Sequence, residues 1–290
     1  MMKSTRFEGD DQDPAGRIDE FMKRFKLGTL LSRAGIRKVS GGSPLLILRT
    51  IFELAFVGRN VYTGVHNSPT ASTKMDVVYR FLSVPRHNRR RFLGFLSDAV
   101  IKCCFKPVTD EKREDVLILD DTPYDRSRSK KVELLARVHD HSKKRYLKGF
   151  RMLVLGWSDG ASYVPVDHAV LSSTKKKNRI QGITKEMDRR TCGAGRRQEA
   201  MTKSTDLIVP MVKRALGLFI PAKYLLMDSW LGFPAVVRLF RILSLVRDKV
   251  RVLYETSEQL VQQIIETTMK EALALIRPGF AAECESCILI

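Results

Sequence analysis

The stretch Val116–Asp125, VLILDDTPYD, constrains this chain more than any other. Four apolar residues run directly into two acids, Asp120 and Asp121. A short apolar run bounded by turn-forming residues reads as a buried strand. Tyr224–Trp230, YLLMDSW, repeats the pattern with an apolar run that ends in Asp228. Two buried strands that each deliver a carboxylate at one end supply the oxygen ligands that hard Mg²⁺ or Mn²⁺ takes. Two such ions about 4 Å apart clamp the entering and leaving oxygens of a phosphoryl transfer. A plainer role also fits the same residues, as strand caps or turn starts.

The overall balance of charge narrows the partners. The net charge is +19 with a pI near 9.9, which calls for a polyanionic partner, nucleic acid ahead of an acidic membrane surface. No apolar run approaches the roughly 20 residues of a membrane span, and the N-terminus lacks the apolar segment of a secretory signal. The five cysteines are odd in number and form no framework, so they read as reduced thiols of a cytosolic protein. The sequence contains no GxxxxGK[ST] loop, which argues against an ATPase.

Taken in order, 290 residues hold one large or two ordinary domains, and an apolar fraction of 44% suffices for a real core. Residues 1–16 are polar. Helical patterns follow through about residue 110, among them one opened by Pro44 and one that Pro85 stops. The run His87–Arg91, HNRRR, is either a solvated helix start or a phosphate contact. Beyond the first acid-ended strand, Phe150–Trp157 and Tyr163–Leu171 flank Ser158, Asp159 and Gly160 as a hairpin. Gln198–Leu218 reads as one helix, with Pro210 as a kink, and Phe233–Val246 as another. Strand, hairpin, helix, strand, helix is the order of an α/β ribonuclease-H-like mixed sheet with flanking helices, here preceded by an all-helical N-terminal region. In that fold the first and fourth strands lie side by side, so Asp120 and Asp228 would meet.

Two basic loops lie just beyond strand ends and are candidate phosphate contacts: Arg126, Arg128, Lys130 and Lys131, then Lys175, Lys176, Lys177 and Arg179. Trp230 and Tyr124 each fall within four residues of a candidate acid, where a ring could stack on an unpaired base or pack under a helix. His139 and His141 flank Asp140, which reads as an exposed strand end ahead of a metal site.

The blocks VLILDDTPYDRSRSKKVELLARVHDHSKKRYLKGFRMLVLGWSDG, KNRIQGITKEMDRRTCG and YLLMDSWLGFPAVVR resemble bacterial insertion-sequence transposases of the DDE class, of the insertion-sequence-four type. The resemblance spans roughly residues 45–240. It implies a helical DNA-binding region over residues 1–112, a ribonuclease-H-like catalytic core over 113–246, and Mg²⁺- or Mn²⁺-dependent cutting and joining of DNA at transposon ends. It further implies a homodimer on DNA, no membrane association and a cytoplasmic, nucleoid-associated location. By motif match Asp120 is the first catalytic and metal-holding acid and Asp228 the second. Asp121 is the alternative first acid, because neighbouring strand residues face opposite ways. The family's third acid lies in a Tyr-x2-Arg-x3-Glu-x6-Lys motif, and that motif is missing here. Glu255, Glu258 and Glu266 fall instead in a tail, residues 247–290, that reads as helical. Two readings stay open: a transposase, shortened at its C-terminal side and impaired, or an inactive remnant that still occupies transposon ends.

Overall fold

The computed structural model describes residues 14–37, 41–66, 73–140, 143–184, 186–228, 231 and 251–253. The chain divides into two compact units, residues 1–96 with 187–195, and residues 97–186 with 196–290.

The first unit is built from helices α1 (Pro14–Arg24), α2 (Leu27–Arg33), α3 (Pro44–Phe56), α4 (Met75–Ser83) and the start of α5 (Arg89–Val100). The apolar pattern over residues 17–33 does not make one helix, because Lys26 adopts a left-handed conformation with φ 49° and separates α1 from α2. Ser43 caps α3 by accepting the Leu45 N–H at 3.3 Å, and Pro44 occupies the first helical position, where no N–H is needed. Leu31, Ala34, Ile36, Ile47, Val78 and Phe81 close the core of this unit. Arg49 binds α3 to α1 through both oxygens of Asp19, at 2.6 and 3.1 Å. The HNRRR run is largely structural. His87 is buried against Phe81, the Arg89 guanidinium donates to the Phe81 and Leu82 carbonyls at the end of α4, and Arg91 stacks on Phe95.

The second unit is a mixed sheet with helices against it. Its strands are β1 (Val116–Asp125), β2 (Ala136–Asp140), β3 (Arg145–Ser158), β4 (Tyr163–Leu171), β5 (Tyr224–Met227) and β6 (Arg251–Leu253). β1 and β3 are antiparallel neighbours, β2 and β4 share the far edge of β3, and β5 then β6 add to the other side of β1 in parallel. The hairpin between β3 and β4 turns at Ser158–Gly160, where Gly160 takes φ 86° and Asp159 accepts the N–H groups of Ala161 and Ser162. Period-2 alternation puts Leu117, Leu119, Leu153, Leu155, Trp157 and Leu225 on one face, all fully or almost fully buried. Helix α7 (Ser204–Gly217) covers that face with Leu207, Ile208, Met211, Val212 and Ala215. Arg214 of α7 ties it to Asp167 of β4 at 2.7 Å.

Three details differ from the sequence reading. The segment read as one helix from Gln198 is two, α6 (Cys192–Glu199) and α7, because Ala200–Lys203 leaves the helix between them. Arg251–Leu253, within the tail read as helical, is strand β6 beside β5. β1 does not stop at its acids but pairs with β3 through Asp125, opposite Gly149. The Phe233–Val246 helix lies outside the described residues.

Candidate active site

Asp120 sits where β1 loses one neighbour and keeps the other. The parallel pairing of β1 with β5 runs from Val116–Tyr224 to Leu119–Met227 and ends there. Pairing with β3 continues for six more residues. One step past the last parallel pair sets Asp120 of β1 next to Asp228, just after β5, on the same face of the sheet. The parity of the strand fixes that face as the one opposite the buried leucines, and Asp120 is exposed on it. The Asp120 carboxyl is held above the ordinary aspartate value. Partial desolvation is the largest cause, the Asp121 N–H opposes it, and the Asp228 charge pushes the same way as desolvation.

Asp121 points to the other face. Its carboxylate pairs with Arg151 Nε at 3.0 Å, in surroundings where both side chains are mostly covered. Of the two adjacent acids only Asp120 shares a face with Asp228. Among the described residues no group of three His, Cys, Asp or Glu side chains comes together to hold a metal. Glu255, Glu258 and Glu266 lie outside the described residues.

The two basic loops are brought alongside each other. β1, β4 and β5 run the same way, so the segments after β1 and β4 leave from one edge of the sheet. The second loop lies across the first: Ile180 donates to the Leu135 carbonyl at 2.7 Å, Gln181 donates to the Lys130 carbonyl at 3.0 Å, and Ala136 bridges Arg179. Arg126, Arg128, Lys130, Lys131, Lys175, Lys176 and Lys177 are exposed there. Arg179 is half-buried and donates to the Met201 sulfur. Arg126 rests over the Tyr124 ring at 5.4 Å.

Tyr124 is not beside the acids. It lies four residues along an extended strand from Asp120, roughly 13 Å at the usual rise per residue. The sequence reading ended the strand at its acids, but β1 continues through Tyr124. Trp230 lies outside the described residues. His139 packs edge-on against Tyr146, and Asp140 is buried and accepts the Lys143 N–H at 3.1 Å, which makes it a turn cap. His141 lies outside the described residues.

A family model described as DDE superfamily endonuclease matches residues 54–245, well over half of the chain and all of the sheet except β6. The chain belongs to the DDE superfamily endonucleases. Nucleases of this superfamily typically use divalent metals, and their substrate is DNA. No curated protein matches the chain. No helix among the described residues is long and apolar enough to cross a membrane.

One feature of this endonuclease surface was not visible as a motif. Tyr163 and Gly156 face the same side as Asp120. The Tyr163 phenol is held above its ordinary value, by partial burial first and then by the Asp120 charge. The available signal was a glycine inside a strand pattern, which marks a bulge or a close approach.

Proposed function

We propose that this DDE superfamily endonuclease is a DNA transposase of the bacterial insertion-sequence type, built on a ribonuclease-H-like sheet, with Asp120 and Asp228 as its catalytic carboxylates. The observation that carries the reading is the register. It sets two acids from strands remote in sequence next to each other on one open face, where the Asp228 charge helps to raise the Asp120 pKa. Two neighbouring carboxylates that repel each other are a hard, acceptor-only ligand set, and their chemistry fits Mg²⁺ or Mn²⁺. Bound between Asp120 and Asp228, such an ion would supply Lewis-acid activation of the attacking oxygen and neutralisation of the leaving one. The protein's own part is to hold the two carboxylates in fixed register on β1 and β5. Arg126, Arg128, Lys130, Lys131, Lys175, Lys176, Lys177 and Arg179 line the adjoining edge and bind the phosphate backbone of transposon ends. The helical N-terminal region contributes further DNA binding, and the chain works as a homodimer on DNA in the bacterial cytoplasm.

A second reading is a copy that binds transposon ends and cuts them poorly or not at all. Its support is that these 290 residues contain no Tyr-x2-Arg-x3-Glu-x6-Lys. One assay separates the two: nicking of supercoiled plasmid by the purified chain in Mg²⁺ or Mn²⁺. The enzyme reading expects nicking that Asp120→Asn and Asp228→Asn each abolish and that Asp121→Asn leaves in place. DNA binding without metal-dependent nicking supports the remnant. Nicking that survives Asp228→Asn removes the two-acid site from consideration.

A further inference from the structure

The face that carries Asp120 and Asp228 also carries Tyr163, the first residue of β4. Tyr163 pairs with Ser158, yet its ring lies over Gly156. A Cβ at Gly156 would stand 2.2 Å from Cε2, 2.3 Å from Cζ and 2.5 Å from the hydroxyl oxygen. These atoms are the outer end of the ring, so the phenol reaches from β4 onto β3 and lies over the Gly156 backbone. On its other side Gly156 pairs with Ile118, two residues before Asp120 and on the same face. The β3–β4 register shifts between Leu155 and Gly156, next to the glycine that makes room for the ring.

Tyr163 is not core filler, since it remains 53% exposed. One side of the ring rests on the sheet over Gly156 and the rest faces solvent, on the face that also carries Asp120. A cation at this point would compete with a metal for the carboxylates. A protonated phenol does not, and its O–H donates well to an anionic oxygen.

We propose that Tyr163 is a further substrate-contact residue of this site, whose phenol O–H donates a hydrogen bond to a non-bridging oxygen of the DNA phosphate held at Asp120 and Asp228. This rests on the reading of those two acids given above. Gly156 is then a positioning residue, since any side chain there displaces the ring.

The test measures affinity of the full chain for a short duplex oligonucleotide at fixed salt, in Ca²⁺ and in EDTA. The wild type gains affinity in Ca²⁺, and Asp228→Asn abolishes that gain. Tyr163→Phe cuts the gain about tenfold, the loss of one hydrogen bond to a charged group, and leaves the EDTA affinity unchanged. Gly156→Ala gives a similar cut although the hydroxyl is retained. A full gain in Tyr163→Phe overturns the proposal, as does an equal loss in Ca²⁺ and EDTA. A wild type with no Ca²⁺ gain, or a gain that Asp228→Asn leaves intact, shows instead that the reading of the two acids has failed, and this contact with it.

Discussion

The Asp121 carboxylate lies 3.0 Å from Arg151 Nε, across the β1–β3 pair and on the face turned away from Asp120. Both side chains are mostly covered, at 10% and 20% exposure, so the pair is partly desolvated and removal of one partner takes a charge-assisted contact from the other. Arg151→Ala should destabilise the fold by about 2 kcal/mol, read from the urea midpoint. Asp121→Asn should cost stability too while leaving metal-dependent DNA cutting in place. Loss of cutting with an unchanged midpoint would mean that Asp121, and not Asp120, is the working acid.

Salt dependence reports on the two basic loops. Each phosphate contact adds roughly 0.9 to the slope of log affinity against log salt. The triple variant Arg128→Ala, Lys130→Ala, Lys131→Ala should therefore flatten the slope by about 2 to 3. A slope equal to that of the wild type makes the loop a solvated surface.

Asp120 gives a pH signature with a definite sign. Its ionised form is penalised in the fold by partial desolvation and by Asp228. It therefore favours the fold at low pH, and that advantage is lost as pH rises through its raised value. Asp228→Asn removes the neighbouring charge and should move the Asp120 midpoint down, followed by carboxyl NMR titration. An unmoved midpoint would show that the two carboxylates are not neighbours in solution.

Asp159 has the opposite sign. Burial is the largest single influence and raises its pKa. The Thr109 hydroxyl at 2.6 Å and the N–H groups of Ser162 and Ala161 more than offset it, and the net value falls below the ordinary one. Its contribution is present above the ordinary aspartate value and is lost as pH falls through the folded one. Asp159→Asn should cost about 1–2 kcal/mol at neutral pH. The melting temperatures of variant and wild type should converge on acidification; a constant gap would assign the loss to packing alone.

The sequence made β1, the β3–β4 hairpin and the acid-ended β5 legible, because each has an apolar run bounded by turn residues. It misplaced the acids at the end of β1. Apolar residues mark only the stretch covered on both faces, whereas pairing with β3 carries the strand on through Thr122 and Tyr124, which face solvent. The choice between Asp120 and Asp121 needed the location of Arg151, a partner from another strand. The break between α6 and α7 was hidden because apolar periodicity passes over a short irregular segment. The approach of Tyr163 to Gly156 depends on two strands meeting in one register, which no local pattern encodes.

The parallel partner of β1 has a consequence for the order of assembly. β1, β3 and β4 are joined by antiparallel pairings between strands close in the chain, the kind of contact that forms early. Asp228 comes more than a hundred residues after Asp120, and its strand docks only across that long connection. At ribosomal speeds the interval between synthesis of the two acids is on the order of 5–20 s. A nascent chain therefore presents its basic loop after β1 and a folded hairpin well before it owns a carboxylate pair, so under the function proposed above the capacity to grip DNA would precede the capacity to cut it.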